Sequence, residues 1–191
     1  MFDSIQKTLI AKWYQFLLIL SAGNLLLSLA GFLPIDANMI TWARYVVFLF
    51  SAYCLLQLRI VSVRYRKAAI FKGLVVLCSL LNAMMAASLT LAVSAISILA
   101  TYLEYVAHAK AIQKTDAELS RKWYRLFNIG LLVSAGSVLV SMVAAAMLSA
   151  SGDSAGLFAL ISYLVIAAEL ALQVFYLLLL NRTKKCFLEE E

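Results

Sequence analysis

Glu169 is the residue whose type and position most directly indicate chemistry. It lies in the middle of the apolar run 157–180, and a charged side chain at the centre of a membrane helix costs about 2.5 to 3.5 kcal/mol. Carboxylates at that depth often bind protons or cations. Two interpretations stay open. Glu169 either couples transport to a proton or cation, or is protonated and hydrogen-bonded to a neighbour such as Asn82 or Asn128.

Glu104 and His108 form a second candidate pair, because residues four apart share one face of a helix. Such a pair can relay a proton or contribute to a metal site. A metal site needs further ligands, however, and His108 is the only histidine in the chain. We therefore favour an ordinary Glu–His pair near the membrane interface, and we predict neither a metal nor a cofactor.

Arg44 is the one basic residue outside the four basic clusters of the sequence. Long cationic side chains near a helix end extend toward the membrane surface, which is the simplest interpretation here. Pairing of Arg44 with a buried carboxylate is the alternative, and Asn82 and Asn128 are further possible polar partners in the membrane.

Motifs of soluble enzymes are absent from the sequence. There is no His-Glu-x-x-His metal motif, no Gly-x-Ser-x-Gly nucleophile motif and no glycine-rich phosphate loop. The three cysteines are not spaced as a Cys-x-x-Cys site. We therefore do not expect an enzyme, although catalytic groups assembled in space within the membrane would leave no such motif.

The elements that must position these residues are membrane helices. Hydrophobic residues make up 64% of the 191 positions and charged residues 14%, and the mean hydropathy is +0.94. About 20 apolar residues span the hydrocarbon core of a bilayer. The composition predicts an all-α, polytopic transmembrane bundle that forms a single domain over residues 1–191. Its six helices are predicted near 13–33, 39–60, 68–87, 91–109, 126–149 and 157–180.

The basic residues predict how these helices are arranged. Fifteen of the sixteen Lys and Arg residues lie near the N-terminus or within 59–72, 110–125 and 182–185. Basic clusters stay on the cytoplasmic side of a membrane. The apolar run 68–109 has basic residues at both ends, so it must turn back, and we expect a hairpin near 88–90. The prediction is three hairpins with both termini in the cytoplasm.

These features favour a transport or channel protein with a titratable carboxylate in the membrane. The alternative is a non-transporting accessory or assembly subunit that docks partners through its basic loops. We expect the lipid bilayer as the main partner, with a second copy or another membrane protein as a further one. Nucleic acid is not expected, because membrane orientation explains the net charge of +6. The compact build favours a bacterial inner membrane.

Overall fold

The computed structural model describes residues 4–85, 89–148 and 155–188, except for the side chains of 4, 137, 138, 140–148 and 155–161. The described chain folds into six α-helices and contains no strand. The six-helix prediction is therefore confirmed. The helices are α1 (Ser4–Ala30), α2 (Ala37–Gln57), α3 (Val63–Met84), α4 (Thr90–Ile112), α5 (Ala117–Leu148) and α6 (Ala155–Leu188), with a short 3₁₀ turn, Leu58–Ile60, after α2.

Five of the helices, all but α5, are long and apolar enough within the described residues to cross a membrane. Large apolar side chains cover their outward surfaces, as lipid contact requires. The chain is therefore a multi-pass membrane protein. The connection between the fifth and sixth predicted helices, residues 150–156, lies mostly outside the described residues.

Several helices extend beyond their predicted ends, because the prediction located only their apolar parts. α3 begins at Val63, where Ser62 accepts a hydrogen bond from the backbone of Arg64. α5 begins at Ala117, and the Asp116 carboxylate accepts a hydrogen bond from the Leu119 backbone at 2.8 Å. These side chains cap helices that start in the basic segments, before the apolar sequence begins.

The predicted hairpin in the run 68–109 is confirmed. α3 ends at Met84 and α4 begins at Thr90, and residues 86–88 between them lie outside the described part. The Asn82 side chain accepts a hydrogen bond from the Leu89 backbone at 2.8 Å, which ties the end of α3 to the start of α4.

The helices form a closed ring. Each one packs against the next in sequence, and α6 packs against α1. One end of the ring contains the start of α1, the end of α6 and the α2–α3 and α4–α5 connections. We call it the basic end, and we call the opposite end the far end. The fully buried large side chains gather toward the basic end, and they include Tyr14, Leu17, Leu58, Tyr65 and Trp123. The ring is consequently filled at the basic end.

Candidate functional site

A buried ion pair joins two neighbouring helices inside the ring. Lys72 of α3 contacts Glu104 of α4, with Nζ and Oε2 2.7 Å apart, and only 14% and 7% of the two side chains are exposed. Burying two charges is favourable only when the geometry is close and further hydrogen bonds satisfy the remaining atoms. This pair meets both conditions, because the Tyr176 hydroxyl of α6 donates to Glu104 Oε1 at 2.6 Å.

His108 lies one helical turn from Glu104 and is fully buried. Its Nε2 is 3.9 Å from Glu104 Oε1, which is too long for a hydrogen bond, and Nε2 has no hydrogen-bond partner among the described residues. Its Nδ1 is 2.9 Å from the Tyr65 hydroxyl, and Tyr65 in turn hydrogen-bonds Tyr14. A line of polar groups thus runs from Tyr14 to the ion pair, with one gap between His108 and Glu104.

Aromatic packing seals this line at the basic end. The ring of His108 stacks on that of Trp123, with centroids 4.6 Å apart. Trp123 Nε1 donates to Thr183 Oγ1 at 3.0 Å, and both residues are fully buried. Buried indole and hydroxyl groups that are hydrogen-bonded in this way stabilise a unique packing. The seal closes the ring at the basic end.

A cavity of about 200 Å³ lies directly beyond the ion pair. We call it the central cavity. Lys72, Glu104 and Tyr176 contribute to its wall. The rest of the polar lining comes from four of the six helices: Ser21, Asn24, Ser51, Ser97, Thr101, Tyr105 and Gln173. A polar lining of this kind inside a ring of apolar helices suits water or a polar solute.

Two further cavities lie next to the central cavity. The distal cavity, of about 460 Å³, is lined by Arg44 and Glu169 and reaches Phe32, beyond the end of α1. It shares Asn24, Phe48 and Gln173 with the central cavity, so the two cavities are neighbours. The lateral cavity, of about 310 Å³, lies between α4, α5 and α6, and Glu169 and Gln173 line it as well.

Glu169 therefore faces cavities rather than a packed helix. Its side chain is exposed, and no described residue forms an ion pair or hydrogen bond with it. Arg44 is half-buried. Its Nη2 lies 3.4 Å from the Leu27 carbonyl oxygen, and its Nε has no hydrogen-bond partner among the described residues. The two residues proposed from sequence as titratable group and polar partner thus line one cavity.

The two asparagines suggested as partners of Glu169 lie elsewhere. Asn82 binds the α3–α4 turn through Leu89 and Thr90. Asn128 is exposed on α5. Neither side chain lines the distal or lateral cavity. The asparagine that does line the central and distal cavities is Asn24.

Sequence reasoning missed most of the partners of Glu104. Lys72 was counted with the basic flank 59–72, yet it lies more than two turns inside α3. Its separation from Lys67 by four apolar residues was the available signal. Tyr176 and Tyr65 carried no comparable signal, because tyrosines are also common at membrane interfaces. Among the described residues, no group of three His, Cys, Asp or Glu side chains is placed to hold a metal ion.

Comparison with known proteins gave no match, since no family model, curated protein or solved structure is significantly similar to this chain.

Proposed function

We propose that the chain is a small transport protein that admits a polar solute or ion into the ring from the far end. The observation that supports this proposal is the pair of neighbouring cavities, both with charged and polar side chains in their walls, inside a ring of apolar helices. Carriers in membranes commonly bind their substrates at mid-membrane sites of this kind. A sealed basic end, with a cavity that reaches Phe32 beyond the end of α1, is what one of the two states of such a carrier requires.

Within this proposal, Glu169 is the titratable group. It is a carboxylate on the wall of two cavities with no described counter-charge in contact, so it is free to bind a proton or a cation from the cavity. The Lys72–Glu104 pair has a different role. Because each charge neutralises the other, the pair holds α3 and α4 together at the floor of the central cavity.

Flux through reconstituted protein tests the proposal. Proteoliposomes containing a pH-sensitive dye are given a potassium diffusion potential and a mixture of amino acids, carboxylates and amines. We expect proton movement above that of protein-free vesicles. Glu169→Gln should reduce it by about tenfold or more, because a charge-assisted hydrogen bond contributes about 1.5 to 3 kcal/mol. Unchanged flux in the variant would remove Glu169 from the mechanism, and no flux in the wild type would contradict transport.

The accessory-subunit function remains a second candidate because of one observation. Arg64, Arg66 and Lys67 are exposed around the buried Tyr65 at the start of α3, and they present a cationic surface to a partner. Co-purification from the native membrane tests this candidate. A stoichiometric partner that is lost when the three residues are changed to Gln would support it, whereas a chain that purifies alone in both forms would contradict it.

A further inference from the structure

Two residues that line the distal cavity carry enclosed polar atoms that the described protein does not pair. Arg44 Nε, a donor, and Gln173 Oε1, an acceptor, are both buried and have no hydrogen-bond partner among the described residues. Both residues line this cavity. Buried polar groups in folded proteins are nearly always hydrogen-bonded, so this donor and this acceptor need partners. A polar occupant of the cavity supplies them once the two side chains turn toward it.

The cavity also carries two separated opposite charges. The Arg44 guanidinium comes from α2 and the Glu169 carboxylate from α6, and α1 packs between these helices. None of the ion pairs of the described residues joins them. Each charge therefore faces the same cavity without the other as its partner, in contrast to Lys72 and Glu104 in the central cavity.

These charges select the chemical class of the ligand. A guanidinium binds carboxylate or phosphate oxygens with paired hydrogen bonds. A carboxylate and an amide oxygen, here those of Glu169 and Gln173, accept hydrogen bonds from an ammonium group. An anion alone would leave Glu169 uncompensated, and a cation alone would leave Arg44 uncompensated. With Glu169 ionised, only a ligand with both charges compensates both residues.

We infer that the distal cavity binds a zwitterion, with its anionic group at Arg44 and its ammonium group at Glu169 and Gln173. The cavity volume of about 460 Å³ is adequate for such a molecule, since small-molecule sites in proteins enclose roughly 300 to 1,000 Å³. This inference deepens the proposed function, on which it rests, by naming the class of the transported solute.

Two sources supply this chemistry: a free α-amino acid and the headgroup of an aminophospholipid, which combines a phosphate with an ammonium group. They are distinguished by the membrane used. The full chain is placed in nanodiscs of phosphatidylglycerol alone, and glycine, L-alanine, L-leucine and L-phenylalanine are added singly. A parallel set of nanodiscs contains phosphatidylethanolamine and receives no amino acid.

The measurement is the thermal unfolding midpoint, which rises when a ligand binds the folded protein. We expect either one of the amino acids or phosphatidylethanolamine to raise it. Analogues that carry only one of the two charges should not raise the midpoint. For alanine these are propionate, which lacks the amine, and ethylamine, which lacks the carboxylate. Arg44→Gln and Glu169→Gln should each weaken binding by about tenfold or more, because each removes one charged partner.

Matched charge changes away from the cavity are the controls. Arg182→Gln and Glu118→Gln alter exposed side chains and should leave binding unchanged. The midpoint of each variant without ligand shows whether it folds, and Arg44→Lys keeps the charge if Arg44→Gln does not fold. Protection in phosphatidylglycerol nanodiscs supports a free amino acid, and protection only by phosphatidylethanolamine supports a lipid headgroup.

Three results would overturn the inference: no protection by any zwitterion, equal protection by propionate or ethylamine, or binding unaffected by both cavity variants. The outcome is separable from that of the proposed function. Zwitterion binding without flux in proteoliposomes would overturn transport alone, whereas flux of other solutes without zwitterion binding would overturn this inference alone.

Discussion

At the scale of single residues, the Lys72–Glu104 pair is the feature on which the site most depends. Removing one member of a buried ion pair leaves an unpaired charge and costs about 3 to 5 kcal/mol, whereas removing both charges together costs much less. The central cavity lies beside this pair, so water there can solvate a lone carboxylate. The cost here should therefore lie near the lower end of that range.

We expect Lys72→Met to lower the free energy of unfolding by roughly 3 kcal/mol, and Lys72→Met combined with Glu104→Gln to recover most of that loss. Reversible unfolding in mixed micelles measures both. Lys67→Met is the matched control, because Lys67 lies on the same helix but is exposed. Equal destabilisation by the single and double variants would show that the two charges do not act as a pair.

Sequence alone could not assign these partners. Lys72 and Glu104 are far apart in the chain, and Glu104 also pairs with Tyr176 from a third helix. Such contacts form because the six helices close into a ring, and neither the periodicity nor the composition of the sequence predicts that arrangement. Glu169 was identifiable, in contrast, because the cost of placing a carboxylate in an apolar run is visible in the sequence itself.

At the scale of elements, the α3–α4 hairpin is stabilised by Asn82, which the sequence suggested as a polar partner in the membrane. Asn82 was expected to face other helices, but it accepts a hydrogen bond from the Leu89 backbone. A short turn leaves backbone groups without helical partners, and a nearby amide side chain satisfies one of them. The hairpin that the basic residues at both ends of 68–109 predict is therefore stabilised by Asn82.

We expect Asn82→Leu to lower the free energy of unfolding by about 1 kcal/mol or more, because the Leu89 amide loses its acceptor. Asn128→Leu is the matched control: it is the same substitution at an exposed site on α5, and it should change stability by less than about 0.5 kcal/mol. The same unfolding assay measures both variants. A larger loss for Asn128→Leu would reverse the roles assigned to the two residues.

A short repeat in the sequence does not extend to the packing of the helices. Lys12-Trp13-Tyr14 recurs as Lys122-Trp123-Tyr124, which suggests that α1 and α5 are equivalent. The structure buries Tyr14 on α1 but Trp123 on α5, so the inward positions differ by one residue. The shared motif is better explained by aromatic residues placed where helices meet the membrane interface.

At the scale of the whole molecule, the apolar runs and the basic residues between them predicted the number of helices and the α3–α4 hairpin. They did not predict that α6 returns to α1 and closes a ring. Each helix is apolar around most of its circumference because it faces lipid and neighbours alike, so no amphipathic stripe marks its inward side. The polar residues that line the cavities are few per helix, and only the closed ring brings them together.

Because packed side chains fill the ring at the basic end, we expect water to enter its interior from the far end only. Asn24 and Leu17 lie seven residues apart on α1, about 10 Å along the helix axis. Asn24 lines the central and distal cavities, whereas Leu17 is fully buried in the seal at the basic end. An aqueous path from the far end should therefore reach Asn24 and stop before Leu17.

In a chain whose three cysteines are replaced by serine, we expect Asn24→Cys to react with a charged, membrane-impermeant thiol reagent added outside intact cells, and Leu17→Cys to remain unmodified. Leu26→Cys is the control for access through lipid, because Leu26 is 66% exposed on the helix surface and a thiol in hydrocarbon stays protonated and unreactive. Reaction of Asn24→Cys only after the cells are opened would show that the basic end faces outward, contrary to the charge pattern. Equal reaction at Asn24→Cys and Leu17→Cys would show that the aromatic seal does not close the ring.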